Sequence, residues 1–317
     1  MSRKGTGVGG DGLVHSGKPS VARSLVVNAD DLGLTVGVND GIFDAHDRGI
    51  VTSASIFANA PATPDAIARS RTRPSLGVGV HLALVDGVPT LPPARVPTLG
   101  HGDRRFLASW QLFMVRYLQG RVALNEVERE LAAQVDRIRS EGLRVTHLDA
   151  HKHIHAFPPV FAIVVRLAAR FRIPVVRVPY ERWSPVWGDK WQRHAARRQM
   201  LLNLAMLPWA RRNYRMAAAH GIRTPNFTGR THTGVMNIEA LVATIRRLPP
   251  GVTELMVHPG HIDDALRQMP TRLVSSRAQE VQLLCSSVVR TILPTHSVQL
   301  VRHDGATSTT SVPKEPA

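Results

Sequence analysis

Aspartate and histidine side chains occur in short segments where apolar runs end, and these residue types can do acid–base and metal chemistry. Asp30 and Asp31 follow the first apolar run, and His81 lies within another. Adjacent carboxylates repel each other and lose hydration when buried, so water or a cation usually compensates them. A bend at the end of a strand can direct both side chains to one site. Two alternatives stay open: an aspartate pair at a helix N-terminus, and a core histidine at His81.

A row of polar residues fills alternate positions between residues 147 and 155. Its members are His147, Asp149, His151, His153 and His155. In a strand, the period of two places all of them on one face. Imidazoles and carboxylates crowded in this way are typical of metal sites, and the single Cys285 excludes a cysteine cage. The row predicts one divalent metal ion, Mg²⁺ or Zn²⁺, as in a catalytic site; the alternative is a histidine-rich exposed turn.

Two further residues could assist a reaction at such a site. His258 begins a His-Pro-Gly-His sequence after a late apolar run, and its unperturbed pKa near neutrality suits a general acid. The alternative is a loop in which Pro-Gly turns the chain and the histidines are incidental. Arg177 ends another apolar run, and from there it could orient a carboxylate such as Asp30 by a bidentate contact.

The elements that must position these residues alternate between short apolar segments and longer amphipathic ones. Strands are predicted at 24–28, 52–58, 76–84, 144–149, 174–178, 254–258 and 297–302, with a weaker one at 226–231. Helices are predicted at 38–47, 65–71, 124–141, 158–171, 238–247 and 275–292. This alternation is typical of an α/β protein with a parallel sheet. Seven or eight mainly parallel strands predict a distorted (β/α) barrel, whose active site lies where the strands end.

The 317 residues are predicted to form one catalytic domain over residues 23–303, with a disordered leader at 1–22 and a disordered tail at 304–317. Residues 12–19 resemble a phosphate-binding loop, but no strand precedes them and Pro19 replaces the Ser or Thr that binds metal there. The sequence has neither a membrane-spanning apolar run nor the apolar core of a signal peptide. A cytoplasmic location is therefore expected.

The net charge of +16 predicts attraction to an acidic partner: nucleic acid, an anionic membrane or an acidic substrate. Segment 190–220 combines arginines with Trp191, Trp209 and several leucines, which suits peripheral contact with an anionic membrane. The alternative is a core helix with a solvated basic flank, and Pro208 is expected to break it. No nucleic-acid partner is expected, because no recognisable binding motif accompanies the charge. A homodimer is left open.

Several ordered segments resemble the YdjC/ChbG-type carbohydrate deacetylase family, and the resemblance runs from about residue 24 to 302. They are residues 27–33, 50–55, 79–84 and 146–155, Phe157-Pro158, and His258-Pro259-Gly260. The resemblance implies a distorted barrel that removes N-acetyl groups from N-acetylglucosamine-containing substrates. It also implies Asp31, His81 and His151 as metal ligands and Asp30 as the catalytic aspartate. Leu32 departs from the family, which usually has Phe there.

Within the row, Asp149, His153 and His155 are predicted either to support the metal ligands or to bind the metal in place of one of them, because they share the predicted face. The chain is most similar to the hopanoid-biosynthesis-associated HpnK type, through residues 81–87, 91–93, 176–181 and 272–277 and through Glu280. That similarity implies an N-acetylglucosaminyl-bacteriohopanetetrol substrate, reached from the inner face of the membrane. A soluble chitooligosaccharide is the alternative.

Overall fold

The structure, a computed structural model, describes residues 22–101, 105–182 and 190–307 around a parallel sheet of seven strands. The seven strands are β1 (Arg23–Leu32), β2 (Ser53–Ile56), β3 (Gly77–Leu82), β6 (Val145–Ala150), β7 (Asn226–Thr228), β8 (Gly251–Val257) and β9 (Val298–Leu300). A separate antiparallel pair is formed by β4 (Gly100–His101) and β5 (Arg105–Phe106). The leader residues 1–21, including the loop-like 12–19, lie outside the described residues.

The parallel strands follow the order β6-β3-β2-β1-β8-β7, and β9 shares one edge of β1 with β2. Residues 23–25 of β1 pair with β9, and residues 28–32 pair with β2. The predicted strand at 174–178 is not a continuous ladder. Instead, isolated parallel bridges join Val176 to Leu148 and Glu181 to Phe227, so this segment connects β6 with β7. The result confirms the predicted distorted (β/α) barrel.

Helices follow most strands and cover the sheet. They are α1 (Val36–Asp47), α2 (Thr63–Arg71), α3 (Trp110–Leu118), α4 (Leu124–Ser140), α5 (Pro158–Phe171), α6 (Lys190–Ala205), α7 (Leu207–Ala219), α8 (Ile238–Arg246), α9 (Asp264–Arg267), α10 (Ser275–Leu284) and α11 (Ser287–Thr295). Short 3₁₀ turns occupy Pro93–Arg95 and His151–Ala156. No helix within the described ranges is long and apolar enough to cross a membrane.

Local chemistry explains where several helices begin and end. The Thr35 hydroxyl accepts a hydrogen bond from the N–H of Val38 and caps α1. The single helix predicted over 275–292 is wrong, because Ser286 is extended and its hydroxyl caps α11 through the N–H of Val288. The predicted break near Pro208 is confirmed: α6 ends one residue before Met206, and α7 starts one residue after it.

Burial matches the pattern of a parallel sheet covered by helices. The last eight of the ten residues of β1 are buried, and their apolar side chains join a core with those of α1, α4, α5 and α8. At the other end of the chain, residues 304–307, predicted as tail, form a turn. In it Asp304 pairs with Arg302 at 2.9 Å, and Thr307 bridges to Val301.

Candidate active site

The end of β1 directs two neighbouring carboxylates to the same place. Asp31 has φ of 72°, in the left-handed region, and the β1–β2 pairing shifts register between Ala29 and Leu32. This irregularity interrupts the alternation of side chains, so Asp30 and Asp31 both lie within reach of His81. The helix that follows is capped by another residue, so the aspartate pair is not its N-cap.

The three residues predicted as metal ligands converge at the carboxyl ends of the strands. Ligand atoms of Asp31, His81 and His151 all lie within 4.8 Å of one another. Asp31 Oδ1 is 3.4 Å from His81 Nε2 and 3.5 Å from His151 Nδ1. One carboxylate oxygen and two imidazole nitrogens form a donor set that suits a borderline cation such as Zn²⁺. The cluster could therefore bind a metal ion.

Each histidine of the cluster has a carboxylate on its other ring nitrogen. His81 Nδ1 is 2.8 Å from Asp149 Oδ1, and His151 Nε2 is 3.5 Å from Asp86 Oδ2. Metal-binding histidines usually donate this second N–H to a carboxylate, which fixes the tautomer and turns the free lone pair toward the ion. The surroundings of both rings thus fit a metal ion on the side of Asp31.

Arg277 holds the other oxygen of Asp31 and was not among the predicted site residues. Its Nη2 donates to Asp31 Oδ2 at 2.5 Å, and its Nε donates to the carbonyl of Leu273. Burial alone would raise the pKa of Asp31, but Arg277, with His151 and His81, holds it well below its ordinary value. The arginine belongs to α10, 246 positions after Asp31 in the chain. In the sequence it stands out only as part of residues 272–277, which resemble the HpnK type.

The predicted bidentate contact between Arg177 and Asp30 is present. Nη1 and Nη2 each donate at 2.7 Å to one oxygen of Asp30. The same buried guanidinium donates to Glu254 Oε1 at 2.7 Å and lies 2.9 Å from Asp149 Oδ2. Burial would raise the pKa of Asp30, but Arg177 lowers it far below the ordinary value, so the carboxylate stays ionised. Burial raises the pKa of Glu254 to about 7.

The site carries more carboxylates than arginines, and this excess of negative charge raises the pKa of His81. Burial alone would lower the pKa of His81, but Asp149, together with Asp30 and Asp31, raises it to about 9. The Ser55 hydroxyl joins the same group by donating to Asp149 Oδ2 at 2.9 Å. An imidazole whose protonated form is stabilised indicates a negative electrostatic potential, which would also stabilise a bound cation.

His258 follows β8 and is buried beside the aspartates. Burial lowers its pKa to about 4, against the opposing charges of Asp30 and Asp31. Its backbone N–H donates to Glu280 Oε2 at 2.5 Å. Gly260, two residues on, packs so tightly on α1 that a Cβ on Gly41 would lie 2.4 Å from its Cα. This close approach fixes the loop that carries His258.

The single face predicted for the row 147–155 is wrong beyond the end of β6. The strand stops at Ala150, and His153 has φ of 54°, which breaks the alternation. His155 turns its Nε2 to the carbonyl oxygen of Arg177 at 2.9 Å. The His153 ring packs edge-on against Phe227. In the described part of the chain, neither histidine joins a group that could hold a metal, whereas Asp149 does.

Known proteins are similar to this chain over most of its length. A "Carbohydrate deacetylase" of Brevibacillus brevis is 31% identical over 278 residues, covering 87% of this chain and 97% of that protein. A "Chitooligosaccharide deacetylase" of Salmonella paratyphi B is 32% identical over 269 residues, covering 84% and 93%. These two relatives span nearly the whole barrel.

A solved structure shares the fold. It belongs to a protein of Enterococcus faecalis V583, provisionally described as a cellobiose-phosphate cleavage protein, with a TM-score of 0.72 and 24% identity over 89% of this chain and 98% of that one. The sequence profile described as YdjC-like protein matches residues 24–295, which include every residue of the site. The chain therefore belongs to the YdjC-like protein family.

Proposed function

We propose that this protein is a metal-dependent carbohydrate N-deacetylase that hydrolyses the acetamide of an N-acetylglucosamine unit to acetate and a free amine. The observation that carries the proposal is the convergence of Asp31, His81 and His151 beside an Asp30 that Arg177 holds in place. The names of the relatives, carbohydrate deacetylase and chitooligosaccharide deacetylase, support the same reaction.

Different residues of the site would bind the metal, accept the proton of water and orient the base. Asp31, His81 and His151 would hold one divalent cation, Zn²⁺ or Mg²⁺, which supplies a Lewis acid that polarises the acetyl carbonyl and acidifies the attacking water. Asp30 accepts the proton of that water. Arg177 keeps Asp30 ionised and fixes its two oxygens, so the base is ready in the correct orientation before substrate arrives.

His258 serves the second half of the reaction. Because burial lowers its pKa to about 4, the imidazole is neutral before reaction and can donate a proton only after gaining one. The proton taken from water by Asp30 is the natural source, since Asp30 lies close enough for its charge to favour protonation of His258. His258 then protonates the departing amine, without which the carbon–nitrogen bond would release a strongly basic leaving group.

The substrate we infer is N-acetylglucosaminyl-bacteriohopanetetrol, with a soluble chitooligosaccharide as the alternative. The similarity of residues 81–87, 176–181 and 272–277 to the hopanoid-associated type supports the lipid. Segment 190–220 supports it independently, because it holds seven Lys and Arg residues and no Asp or Glu. Leu201 and Leu204 of α6 are 70% and 60% exposed there. A cytoplasmic protein could thus bind peripherally to the inner face of an anionic membrane.

Mass spectrometry tests the function directly. Purified protein is incubated with N-acetylglucosaminyl-bacteriohopanetetrol or with a chitooligosaccharide, each with Zn²⁺, with Mg²⁺ or with a chelator. We expect loss of one acetyl group, only when metal is present, and faster for the lipid. Asp31→Ala should abolish the reaction, whereas Asp47→Ala, an exposed carboxylate paired with Arg73, should not. Full turnover in chelator would contradict the metal role, and turnover of the soluble sugar alone would select the alternative substrate.

A further inference from the structure

Helix α3 presents an apolar face to solvent, which is unusual for an exposed helix. Leu112, Val115 and Leu118 are 42%, 49% and 77% exposed. These three residues, here called the α3 face, lie opposite Phe113, the one buried residue of the helix. A surface helix normally carries polar residues on the side away from the core. An exposed apolar patch of this kind usually marks a contact with a partner or a membrane.

Helix α3, which carries this face, lies beside the part of the barrel where the active site opens. Just before the helix, the backbone N–H of Asp86 donates to the carbonyl of Leu107 at 3.0 Å, and Asp86 contacts His151 of the metal cluster. On the helix itself, Tyr117 packs against Phe157 with ring centroids 4.9 Å apart. Helix α3 and the residues just before it are therefore joined to the mouth by two separate contacts.

The same aromatic contacts connect α3 with α7. Phe157 also packs against Trp209, with centroids 5.6 Å apart, and Trp209 is 39% exposed. Residues 105–124 contain three arginines and no acidic residue, as segment 190–220 contains only basic charges. Two neighbouring basic segments next to the mouth thus expose Trp and Leu side chains. This composition complements a surface with negative headgroups above an apolar interior.

We propose that the α3 face inserts into an anionic phospholipid surface and, together with α6 and α7, seats the active-site mouth on the membrane. The inference rests on the proposed peripheral contact of 190–220 and adds an apolar anchor that the sequence did not reveal. Arginines alone would give binding that salt abolishes, because exposed charges are screened. Burial of three apolar side chains adds attachment that salt does not weaken.

Sedimentation with liposomes of phosphatidylglycerol and phosphatidylcholine tests the anchor. The triple variant Leu112→Ser, Val115→Ser, Leu118→Ser is compared with wild type at low and high salt. We expect its partition coefficient to fall at least about tenfold at low salt, which corresponds to about 1.4 kcal/mol, and wild type to keep measurable binding at high salt. Val252→Ser and Val288→Ser are matched controls, because these valines are 40% and 54% exposed on other parts of the surface. They should bind like wild type.

A fluorescent reporter provides a second readout that does not depend on the triple variant. In a Cys285→Ser background, an environment-sensitive dye is attached at Leu118→Cys or at Val288→Cys. Liposomes should shift the emission of the first to the blue and leave the second unchanged. Wild-type binding by the triple variant, or no shift at position 118, would overturn the proposal. A concentration-dependent dimer that the triple variant loses, without liposome binding, would do the same and assign the face to a second copy.

The result can be separated from the proposed deacetylation. Activity on a soluble N-acetylated sugar should be equal in wild type and the triple variant, because the α3 face does not touch the metal cluster. Loss of liposome binding with that activity retained supports the anchor. If the triple variant still binds liposomes and is active on the sugar, only the anchor is rejected. If the wild type binds liposomes through α3 but is inactive, only the deacetylation is rejected.

Discussion

At the scale of single residues, Asp30 is defined by what holds it. Its two oxygens accept from the two Nη atoms of Arg177, and Asn28 Nδ2 donates to Oδ1 at 2.9 Å. Asp30→Asn should preserve fold and metal binding but lower kcat by about 10²–10⁴-fold, the usual contribution of a general base. Steady-state kinetics and metal analysis on the same sample measure both. Near-normal turnover would shift the base role to another carboxylate, with Asp149 the first candidate.

Asp86 offers a second prediction, which concerns metal affinity. Its carboxylate lies 3.5 Å from His151 Nε2 and also pairs with Lys152, so it orients the His151 ring toward Asp31. Asp86→Ala should weaken Zn²⁺ binding about 10–100-fold, as loss of such outer partners commonly does. Asp86→Asn, which retains an oxygen acceptor, should recover part of it.

Titration calorimetry of chelator-treated protein with Zn²⁺ measures this effect without a turnover assay. Asp47→Ala is the control, because that carboxylate is exposed and pairs with Arg73 at 2.8 Å. Equal Zn²⁺ affinity in wild type and Asp86→Ala would show that His151 does not need the contact.

The sequence reveals some of these residues and conceals others for a physical reason. Asp30, Asp31 and His81 stand out because polar residues interrupt apolar strands. Arg277 does not, because an arginine on a helix is usually a solvated surface residue. Its role depends on the path of the chain, which brings α10 to the end of β1.

At the scale of elements, close packing of α1 on the loop that carries His258 sets the position of this proposed acid. Alanine at Gly41 would favour the helix by about 1 kcal/mol if space were free. Instead, its Cβ would meet the Cα, C and N of Gly260 at 2.4–2.7 Å, and backbone cannot swing aside. Overpacking of this kind costs about 1–3 kcal/mol. We therefore expect Gly41→Ala to lower both the unfolding free energy and kcat.

Urea unfolding and kinetics on Gly41→Ala test that packing, with Zn²⁺ titration as a third measurement. Metal affinity should change little, because the loop carries no member of the metal cluster. Asp40→Ala, also on α1 but half exposed toward Arg69, is the control for a general effect on the helix. A more stable, fully active Gly41→Ala protein would mean that the loop carrying His258 can shift at little energetic cost.

Element boundaries were predictable where local signals decide them. Helix α5 was predicted at its observed bounds, Pro158–Phe171, since prolines favour its first turn and its apolar positions recur at helical spacing. The split between α10 and α11 was missed, because a serine cap leaves the hydrophobic pattern unbroken. The strand predicted at 144–149 matches β6, but the single face predicted for residues 147–155 is lost after Ala150. The positive φ of Lys152 and His153 breaks the alternation there and could not be read from residue types.

At the scale of the whole molecule, the interior of the barrel is rich in neutral histidines. Burial is the largest cause of a lowered pKa in six of them, and it outweighs the neighbouring groups that would raise that pKa. They are His46, His147, His153, His155, His258 and His303. His147 and His303 even pack ring against ring at 3.9 Å, which two charged imidazoles would oppose. The fold therefore depends on these groups staying unprotonated.

This arrangement predicts that acid destabilises the protein well above the range where aspartates titrate. Below the ordinary histidine pKa of about 6.5, the unfolded chain binds protons that the folded chain does not bind, because burial keeps its histidines neutral. The stabilisation is thus complete above that pH and is lost as pH falls toward the folded values, about 4 for His155 and His258. Glu254 and Glu280, whose pKa burial raises to about 7, act in the opposite direction between about pH 7 and 4.5. His81, whose pKa is raised to about 9, does the same between about pH 9 and 6.5. Below pH 6.5, the six histidines are therefore opposed by the two glutamates.

Urea unfolding in chelator between pH 6.5 and 5 should therefore show a free energy of unfolding that falls steadily as the pH falls. Each buried histidine can contribute up to about 1.4 kcal/mol per pH unit to the slope. His46, which lies away from the metal cluster and binds Val51 and Ser75, allows a single-site check. His46→Gln should start from a lower stability and show a shallower slope, because one of the protons taken up on unfolding is gone. A stability that stays level or rises as pH falls to 5 would mean that the interior histidines accept protons without opening the barrel.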